Sequence, residues 1–194
     1  MSPHVVLASS SPRRRELLER LGLEFRISSP DIDESPLPEE TPTAYVHRLA
    51  VAKAHAVQAA SDELVIAADT TVEADGLILA KPNEAPDPQA AAAAMLRRLS
   101  GRTHATHTGV AVRLGERTLA EVVTTAVTFV PLTEADIAWY VGTGEPLDKA
   151  GAYAVQGAGG VFVARIDGSV SNVVGLPLHA VAALAGRLGV SLRG

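Results

Sequence analysis

The sequence predicts an α/β fold in which helices flank a mixed β-sheet. Hydrophobic residues make up 47% of the 194 residues and charged residues 20%, so the chain can bury a sizeable core and disorder is not expected. Predicted strands and helices alternate irregularly, which favours a mixed sheet over a doubly wound parallel one. There is neither an internal repeat nor a long linker, and we expect one domain over residues 1–194.

The chain opens with the pattern of a strand, a loop and a helix. A short apolar strand, Val5–Leu7, is followed by the loop Ser9–Ser11, which supplies an N-cap. Pro12 suits the first helical position, and the helix is expected to stop near Gly22.

Three polar side chains at this helix start predict an anion site. A helix N-terminus offers unpaired N–H groups and a partial positive charge, and Ser9, Arg13 and Arg14 extend the same site towards phosphate oxygens. A capped surface helix with a solvated basic turn explains these residues equally well. Arginine in the first turn opposes the helix dipole, however, and this favours a bound anion.

A second helix is predicted over residues 43–60, and one lysine lies on its core-facing side. Lys53 falls on the apolar stripe, where an ammonium is costly unless an anion meets it or its stem lets the head group reach water. The stripe has the spacing of one helical face and consists of Val46, Leu49, Ala50, Ala54 and Val57.

A buried strand over residues 64–68 is followed by Asp69 and then by a hairpin with Asp75-Gly76 as its two-residue turn. This turn length places Lys81 opposite Thr70 and beside Asp69. A carboxylate after a buried strand can hold Mg²⁺ or orient a water, and a lysine there can offset phosphate charge. An Asp that caps its own turn and pairs with a surface lysine is an equally ordinary strand end.

The acidic loop over residues 29–42 offers Asp31, Asp33 and Glu34 as ligands that could share a divalent cation with Asp69. On the residues alone, a solvated acidic loop is the favoured interpretation. The remaining predicted elements are a helix over 88–99, strands over 106–113 and 118–129, a helix over 134–141, a strand over 161–166 and a helix over 176–188.

Composition and charge exclude several classes of function. The absence of cysteine excludes disulfides, thiolate catalysis and zinc–cysteine sites. The net charge of −5 disfavours a nucleic-acid partner. His104 and His107 would face opposite sides of a strand, so we interpret them as structural. Residues 1–8 lack a signal-peptide pattern and no apolar stretch can span a bilayer, so we expect a cytoplasmic protein without a membrane partner.

Several motifs in a fixed order closely resemble those of the Maf family of nucleotide pyrophosphatases. Together they span nearly the whole chain and are highly specific, although each alone is weak. They are residues 7–18 (LASSSPRRRELL), Asp33-Glu34, Lys53-Ala54, residues 68–70 (ADT), Lys81-Pro82, residues 145–153 (EPLDKAGAY), Gln156-Gly157 and residues 174–178 (VGLPL).

The resemblance implies a fold like that of inosine-triphosphate pyrophosphatases, with a long mixed sheet and two lobes around a cleft, in a chain that forms a homodimer. It implies hydrolysis of a nucleoside triphosphate to the monophosphate and pyrophosphate. Asp69 matches the family's catalytic proton acceptor, and Glu34 joins it in binding a divalent cation, Mg²⁺ or Mn²⁺. The residues expected to bind phosphate are Ser9, Arg13, Arg14, Lys53 and Lys81.

Three positions separate the family's branches, and Arg13, Thr70 and Gln156 match the branch that acts on dTTP and UTP. We therefore expect a house-cleaning enzyme for normal or modified pyrimidine nucleotides, with a link to cell-division arrest. The alternatives are a purine enzyme, acting on inosine, xanthosine or 7-methyl-guanosine triphosphate, and a non-catalytic nucleotide-binding regulator of septum formation. Asp69 argues against a regulator, because nucleotide sensing does not need an acid beside the phosphates.

Overall fold

A computed structural model describes residues 4–192 and contains a seven-stranded mixed sheet within them. The strands follow the order β2-β1-β3-β5-β6-β7, and β4 pairs with β3. They are β1 (His4–Leu7), β2 (Phe25–Ile27), β3 (Glu63–Ala74), β4 (Leu77–Leu79), β5 (Thr103–Leu114), β6 (Arg117–Phe129) and β7 (Val163–Asp167).

Both pairing directions occur in the sheet. β1 is parallel to β2 and β3, whereas β3–β4 and β6–β7 are antiparallel. The helices are α1 (Pro12–Glu19), α2 (Pro42–Ala56), α3 (Pro88–Leu99), α4 (Glu134–Gly142), α5 (Val170–Val174) and α6 (Leu178–Arg187). The predicted α/β class with a mixed sheet and flanking helices is therefore confirmed.

The described residues form two compact units, each with its own core. Unit 1 takes its described residues from Met1–Asp69, Thr108–Val123 and Gly175–Gly194, and unit 2 consists of Thr70–His107 and Thr124–Val174. That residues 1–194 act as one domain stays a prediction.

One core cluster of unit 1 consists of small side chains, and they let helix and sheet approach closely. A Cβ added at Gly109 in β5 would lie 2.8 Å from the backbone nitrogen of His47 in α2 and closer still to the carbonyl of Val46. Only glycine permits this contact. The core cluster consists of Val6, Ala8, Ala50, Ala54, Val57, Val65, Ala67 and Ala111.

Larger side chains fill the core of unit 2. His104, Phe129 and Tyr153 meet edge to face, with ring centroids 4.8 to 5.3 Å apart. Tyr140 and Phe162 extend this aromatic group at 5.3 Å. Five of the seven Phe, Tyr and Trp residues of the chain thus belong to unit 2.

The predicted elements are largely confirmed, and the differences have local causes. The predicted strand 64–68 and the first hairpin strand are one continuous strand, β3, so Asp69 lies within it and not at its end. The helix α2 ends at Ala56 rather than residue 60: Val57 has extended backbone, and the Arg113 guanidinium donates to the carbonyls of Ala54 and Val57. Both β2 and α5 were missed, being too short to show a period.

The last strand and the last helix also begin later than predicted. Residues Ala158–Phe162 form a 3₁₀ segment, so β7 begins at Val163 rather than residue 161. Pro177 takes the extended N-cap position, so α6 begins at Leu178 rather than residue 176. In the described part of the chain no helix is both long and apolar enough to cross a bilayer.

Candidate active site

The buried lysine predicted on α2 meets two carboxylates in unit 1. The Nζ atom of Lys53 lies 2.7 Å from Oδ1 of Asp69 on β3 and 2.8 Å from Oε1 of Glu34. Lys53 and Asp69 are each only 7% exposed, whereas the Glu34 side chain is 45% exposed. The requirement that an anion meet this ammonium is therefore fulfilled.

The charge of this trio bears on what it can bind. Two carboxylates and one ammonium carry a net charge of −1 when all are ionised. Lys53 and Asp69 gave up hydration on burial, and the short contacts of Lys53 with Asp69 and Glu34 offset that cost. A carboxylate pair held close together with spare negative charge suits a hard cation with oxygen ligands.

The acidic loop reaches Lys53 because α2 anchors it. Arg48 on α2 forms a bidentate ion pair with Glu40, at 2.6 and 2.7 Å, and also donates to the carbonyl of Ser35. The Tyr45 hydroxyl donates to the carbonyl of Glu34 at 3.0 Å. Arg48 lowers the pKa of Glu40 to about 2. The loop segment that carries Glu34 is thus tied to the helix that carries Lys53.

The other acids of this loop take a different role. Oδ1 of Asp33 accepts a hydrogen bond from the backbone N–H of Ser35 at 2.9 Å, and hydrogen bonds from Ser35 lower the pKa of Asp33. Asp31 and Asp33 are both exposed. Of the three candidate acids, the structure joins Glu34 to Lys53 and leaves Asp33 capping its own turn.

A second polar group forms at the start of α1. Oγ of Ser9 accepts hydrogen bonds from Nη1 of Arg14 at 3.0 Å and from the backbone N–H of Ser11 at 3.2 Å. Nε of Arg14 donates to the carbonyl of Gly175 at 2.8 Å. Ser11 takes the N-cap position with extended backbone, but within the described residues its side chain makes no capping bond.

The charge of Arg14 links this group to the carboxylates. Burial lowers the pKa of the Arg14 guanidinium, and the charge of Asp69 opposes that effect. Neighbouring Arg13 lowers the pKa further, and Glu34 raises it. Arg14 therefore lies in the electrostatic field of both carboxylates, and Ser9, Arg14, Glu34, Lys53 and Asp69 all belong to unit 1.

Of the remaining predicted site residues, Arg13 is half-buried in unit 1, and the other three, Thr70, Lys81 and Gln156, belong to unit 2. Thr70 follows Asp69 on β3 and is half-buried. The predicted hairpin register is confirmed where Ala74 faces Leu77, and the turn residues Asp75 and Gly76 have φ of +56° and +76°, as that turn requires.

Lys81 and Gln156 are both exposed residues of unit 2. The β3–β4 ladder ends at the pair Val72–Leu79, before it reaches Lys81. Lys81 is exposed, and its Nζ lies 3.6 Å from Oε1 of Glu84. Gln156 is exposed beside Gly157 in the segment between α4 and β7.

The two strand histidines have separate partners, as a structural role requires. Nε2 of His104 lies 2.9 Å from the hydroxyl of Tyr153, while His107 contacts Thr124 at 2.8 Å and Glu73 at 3.1 Å. Burial lowers the pKa of His104 to about 4. Residues 4–192 contain no group of three or more His, Cys, Asp or Glu placed to hold a metal ion.

The amino-acid sequence alone did not indicate the roles of two groups, the carbonyl of Gly175 and the carboxylate of Glu145. The carbonyl of Gly175, which receives Arg14, is a backbone atom 161 positions away and leaves no side-chain signal. The carboxylate of Glu145 organises a loop in unit 2 through three hydrogen bonds. Glu145 was noted only as part of a family motif, because its partners are a hydroxyl and two backbone N–H groups.

Comparison with known proteins defines the family. The Maf-like protein model matches residues 4–188, and the chain belongs to this family. Proteins named dTTP/UTP pyrophosphatase are similar over almost the full length. The one from Anaeromyxobacter dehalogenans (strain 2CP-C) is 54% identical, over 99% of this chain and 97% of its own. The one from Moorella thermoacetica is 55% identical, over 98% and 97%. The one from Myxococcus xanthus is 52% identical, over 97% and 94%.

Among solved structures, the Staphylococcus aureus Ham1 protein matches with 15% identity and a TM-score of 0.46, over 65% of this chain and 71% of its own. A HAM1 protein from Coxiella burnetii matches with 18% identity and a TM-score of 0.41, over 66% and 73%.

Proposed function

We propose that this protein hydrolyses dTTP and UTP to the nucleoside monophosphate and pyrophosphate. The observation that carries the proposal is the buried Lys53 ammonium held between Asp69 and Glu34, with Arg14 in the field of both acids. Such a site can position a water and offset polyanionic charge. The names of relatives at 52 to 55% identity support dTTP and UTP as its substrates.

A divalent cation fits the donor set of the site. Mg²⁺ is usually bound by one or two carboxylates together with substrate phosphates and water, and Asp69 and Glu34 supply two carboxylates in contact with one ammonium. When bound, the cation would supply Lewis-acid polarisation of phosphate oxygens. The resemblance to the family favours Mg²⁺ or Mn²⁺.

Residues of the chain itself would accept the proton of the attacking water and hold the accepting carboxylate in place. Asp69 accepts a proton from the attacking water, whose oxygen forms a new bond to the α-phosphorus. The bond from this phosphorus to the bridging oxygen breaks, and pyrophosphate leaves with the electron pair. Lys53 holds Asp69 in place through the 2.7 Å contact with Oδ1, and the other carboxylate oxygen would take the proton of the water.

The basic residues at the start of α1 would bind the triphosphate. Arg14 has its guanidinium fixed by Ser9 and by the Gly175 carbonyl, so little side-chain entropy is lost when phosphate binds. Arg13 and Lys81 would add positive charge against the departing pyrophosphate. The base would be selected by the trio Arg13, Thr70 and Gln156, which matches the pyrimidine branch. A homodimer is a further proposal from the resemblance, and a cytoplasmic location is a further proposal from the sequence.

A nucleotide panel tests this proposal. Initial rates would be measured for dTTP, UTP, CTP, ATP, GTP, ITP, XTP and 7-methyl-GTP after EDTA treatment, with and without added Mg²⁺. Asp69→Asn serves as the inactive control. We expect metal-dependent release of pyrophosphate that is fastest from dTTP and UTP. Preference for a purine triphosphate would refute the substrate assignment, and no turnover of any nucleotide would favour the regulator.

A further inference from the structure

The half-buried carboxylate of Glu145 in unit 2 has no part in the proposed hydrolysis, yet it accepts three hydrogen bonds. Oε1 of Glu145 accepts a hydrogen bond from the hydroxyl of Tyr140 at 2.7 Å and from the backbone N–H of Gly159 at 3.1 Å. Oε2 accepts from the backbone N–H of Ala158 at 3.0 Å. Hydrogen bonds to an ionised acceptor are roughly twice as strong as neutral ones. Glu145 therefore fixes the backbone at Ala158 and Gly159.

The pKa values of Glu145 and Tyr140 favour these hydrogen bonds at neutral pH. Burial alone raises the pKa of Glu145, but the hydrogen bonds from Tyr140, Gly159 and Ala158 outweigh it and leave the pKa below its ordinary value. Burial also raises the pKa of Tyr140 well above its usual range. Glu145 stays an acceptor and Tyr140 stays a donor.

The loop between these anchors carries Gln156. The hydroxyl of Tyr140, which donates to Glu145, also accepts from the backbone N–H of Ala154 at 3.1 Å. One end of the segment 154–159 is thus bound to Tyr140 and the other to Glu145. Gln156 lies between the two attachments and is exposed. The backbone on both sides of Gln156 is set by one Tyr–Glu pair.

The glycine after Gln156 is required by the same carboxylate. Gly157 has φ −110°, a conformation open to any residue, so backbone strain does not explain it. The three atoms nearest to a Cβ built at this position all belong to the Glu145 carboxyl group, at less than 3.0 Å. The loop passes so close to Glu145 that only a hydrogen atom fits between them.

We propose that Glu145 is a positioning residue that sets base selectivity by fixing the loop that presents Gln156. This inference rests on the proposed function, because it requires Gln156 to select the base. Glu145 would act through Gln156 and would not itself touch the substrate. A site that reads a base by hydrogen bonds discriminates only when the reading group is held in place.

A double-mutant cycle tests the proposal. The variants are Glu145→Ala, Gly157→Ala and the two together, and the readout is kcat/KM for dTTP divided by kcat/KM for dCTP. Each single variant should lower this ratio about tenfold, chiefly through KM for dTTP, since one misplaced hydrogen-bonding group has about this effect. In the Glu145→Ala background the clash at Gly157 is gone, so Gly157→Ala should add less than about twofold.

Matched controls separate positioning from general damage. Glu134→Ala removes an exposed acid of the same unit that pairs with Arg97, and it should leave the ratio unchanged. Tyr140→Phe removes one Glu145 contact and the Ala154 contact but keeps both backbone N–H bonds to Glu145, and it should lower the ratio by less than Glu145→Ala does. If Glu145→Ala does not fold, Gly157→Ala and Tyr140→Phe still decide the matter.

The outcomes are distinguishable from failure of the proposed function. A wild-type protein that releases no pyrophosphate from dTTP or UTP would overturn that function and this inference with it. A wild type that prefers dTTP, with folded Glu145→Ala and Gly157→Ala variants that keep the dTTP-to-dCTP ratio within twofold, would overturn the inference alone. Equal losses on dTTP and dCTP would do the same, because a structural defect does not distinguish bases.

Discussion

Replacing Lys53 by methionine tests the electrostatics at the centre of the site. Methionine keeps the length and most of the volume of the side chain but removes the ammonium that contacts Asp69 at 2.7 Å and Glu34 at 2.8 Å. Asp69 is then left as a buried carboxylate without its cation. Breaking a buried ion pair by removing one partner typically costs about 3–5 kcal/mol.

The expected size of the effect is measurable by thermal unfolding. For a chain of this length, 1 kcal/mol shifts Tm by about 2–4 °C, so Lys53→Met should lower Tm by about 6–20 °C in metal-free buffer. The double variant Lys53→Met/Asp69→Asn buries neither charge, and its Tm should lie above that of the single Lys53 variant. The unfolding would be followed by circular dichroism at fixed protein concentration.

Activity of the folded Lys53 variant completes this test. We expect triphosphate hydrolysis to fall further than the loss of folded protein explains, because the Asp69 carboxylate is no longer held in place. The reasoning is refuted if Lys53→Met melts within 2 °C of wild type and the two substitutions add independently. A large drop in Tm with unchanged turnover of the folded fraction would restore a purely structural role for Lys53.

Three further predictions concern single residues. Asp69→Asn should fold and lose turnover by at least about 10²–10⁴-fold, the usual effect of removing a general base. Near-normal turnover would refute the assignment of Asp69 as the general base. Gln156→Glu removes two donors and should shift the order of kcat/KM among dTTP, UTP and CTP while pyrophosphate release persists. Burial depresses the pKa of His104 to about 4, below the ordinary histidine pKa of about 6.5. As the pH falls, the unfolded state is therefore protonated at His104 before the folded state is, and the free energy of unfolding should fall by up to about 3 kcal/mol between pH 6.5 and pH 4. His104→Gln should flatten that part of the curve in pH-dependent denaturant unfolding, and an unchanged slope would contradict the assignment.

Elements that begin or end at characteristic turn and capping residues were predicted correctly from the sequence. The hairpin at Asp75-Gly76 and the bounds of α3 follow from turn and capping residues, and Thr133 with Asp136 forms the capping box that begins α4. The predicted end of α2 was wrong: the helix ends at Ala56, where the carbonyls of Ala54 and Val57 accept hydrogen bonds from Arg113 on β5. Long-range side chains leave no trace in local pattern.

The candidate site was predictable in part for a similar reason. The position of Lys53 on an apolar stripe already required an anionic partner, and the structure identifies Asp69 and Glu34 as partners. Residue chemistry alone could not choose Glu34 over Asp33, because both lie in one acidic loop whose course depends on Arg48 and Tyr45. The importance of Glu145 was likewise invisible, since two of its three donors are backbone N–H groups.

Hydrolysis of dTTP in ¹⁸O-labelled water tests the central claim most directly. The products would be identified by ³¹P NMR, and the position of the label by mass spectrometry. Attack of water on the α-phosphorus predicts dTMP and pyrophosphate in equal amounts, with ¹⁸O in dTMP alone. Release of dTDP and orthophosphate, or ¹⁸O in the pyrophosphate, would contradict the proposed reaction.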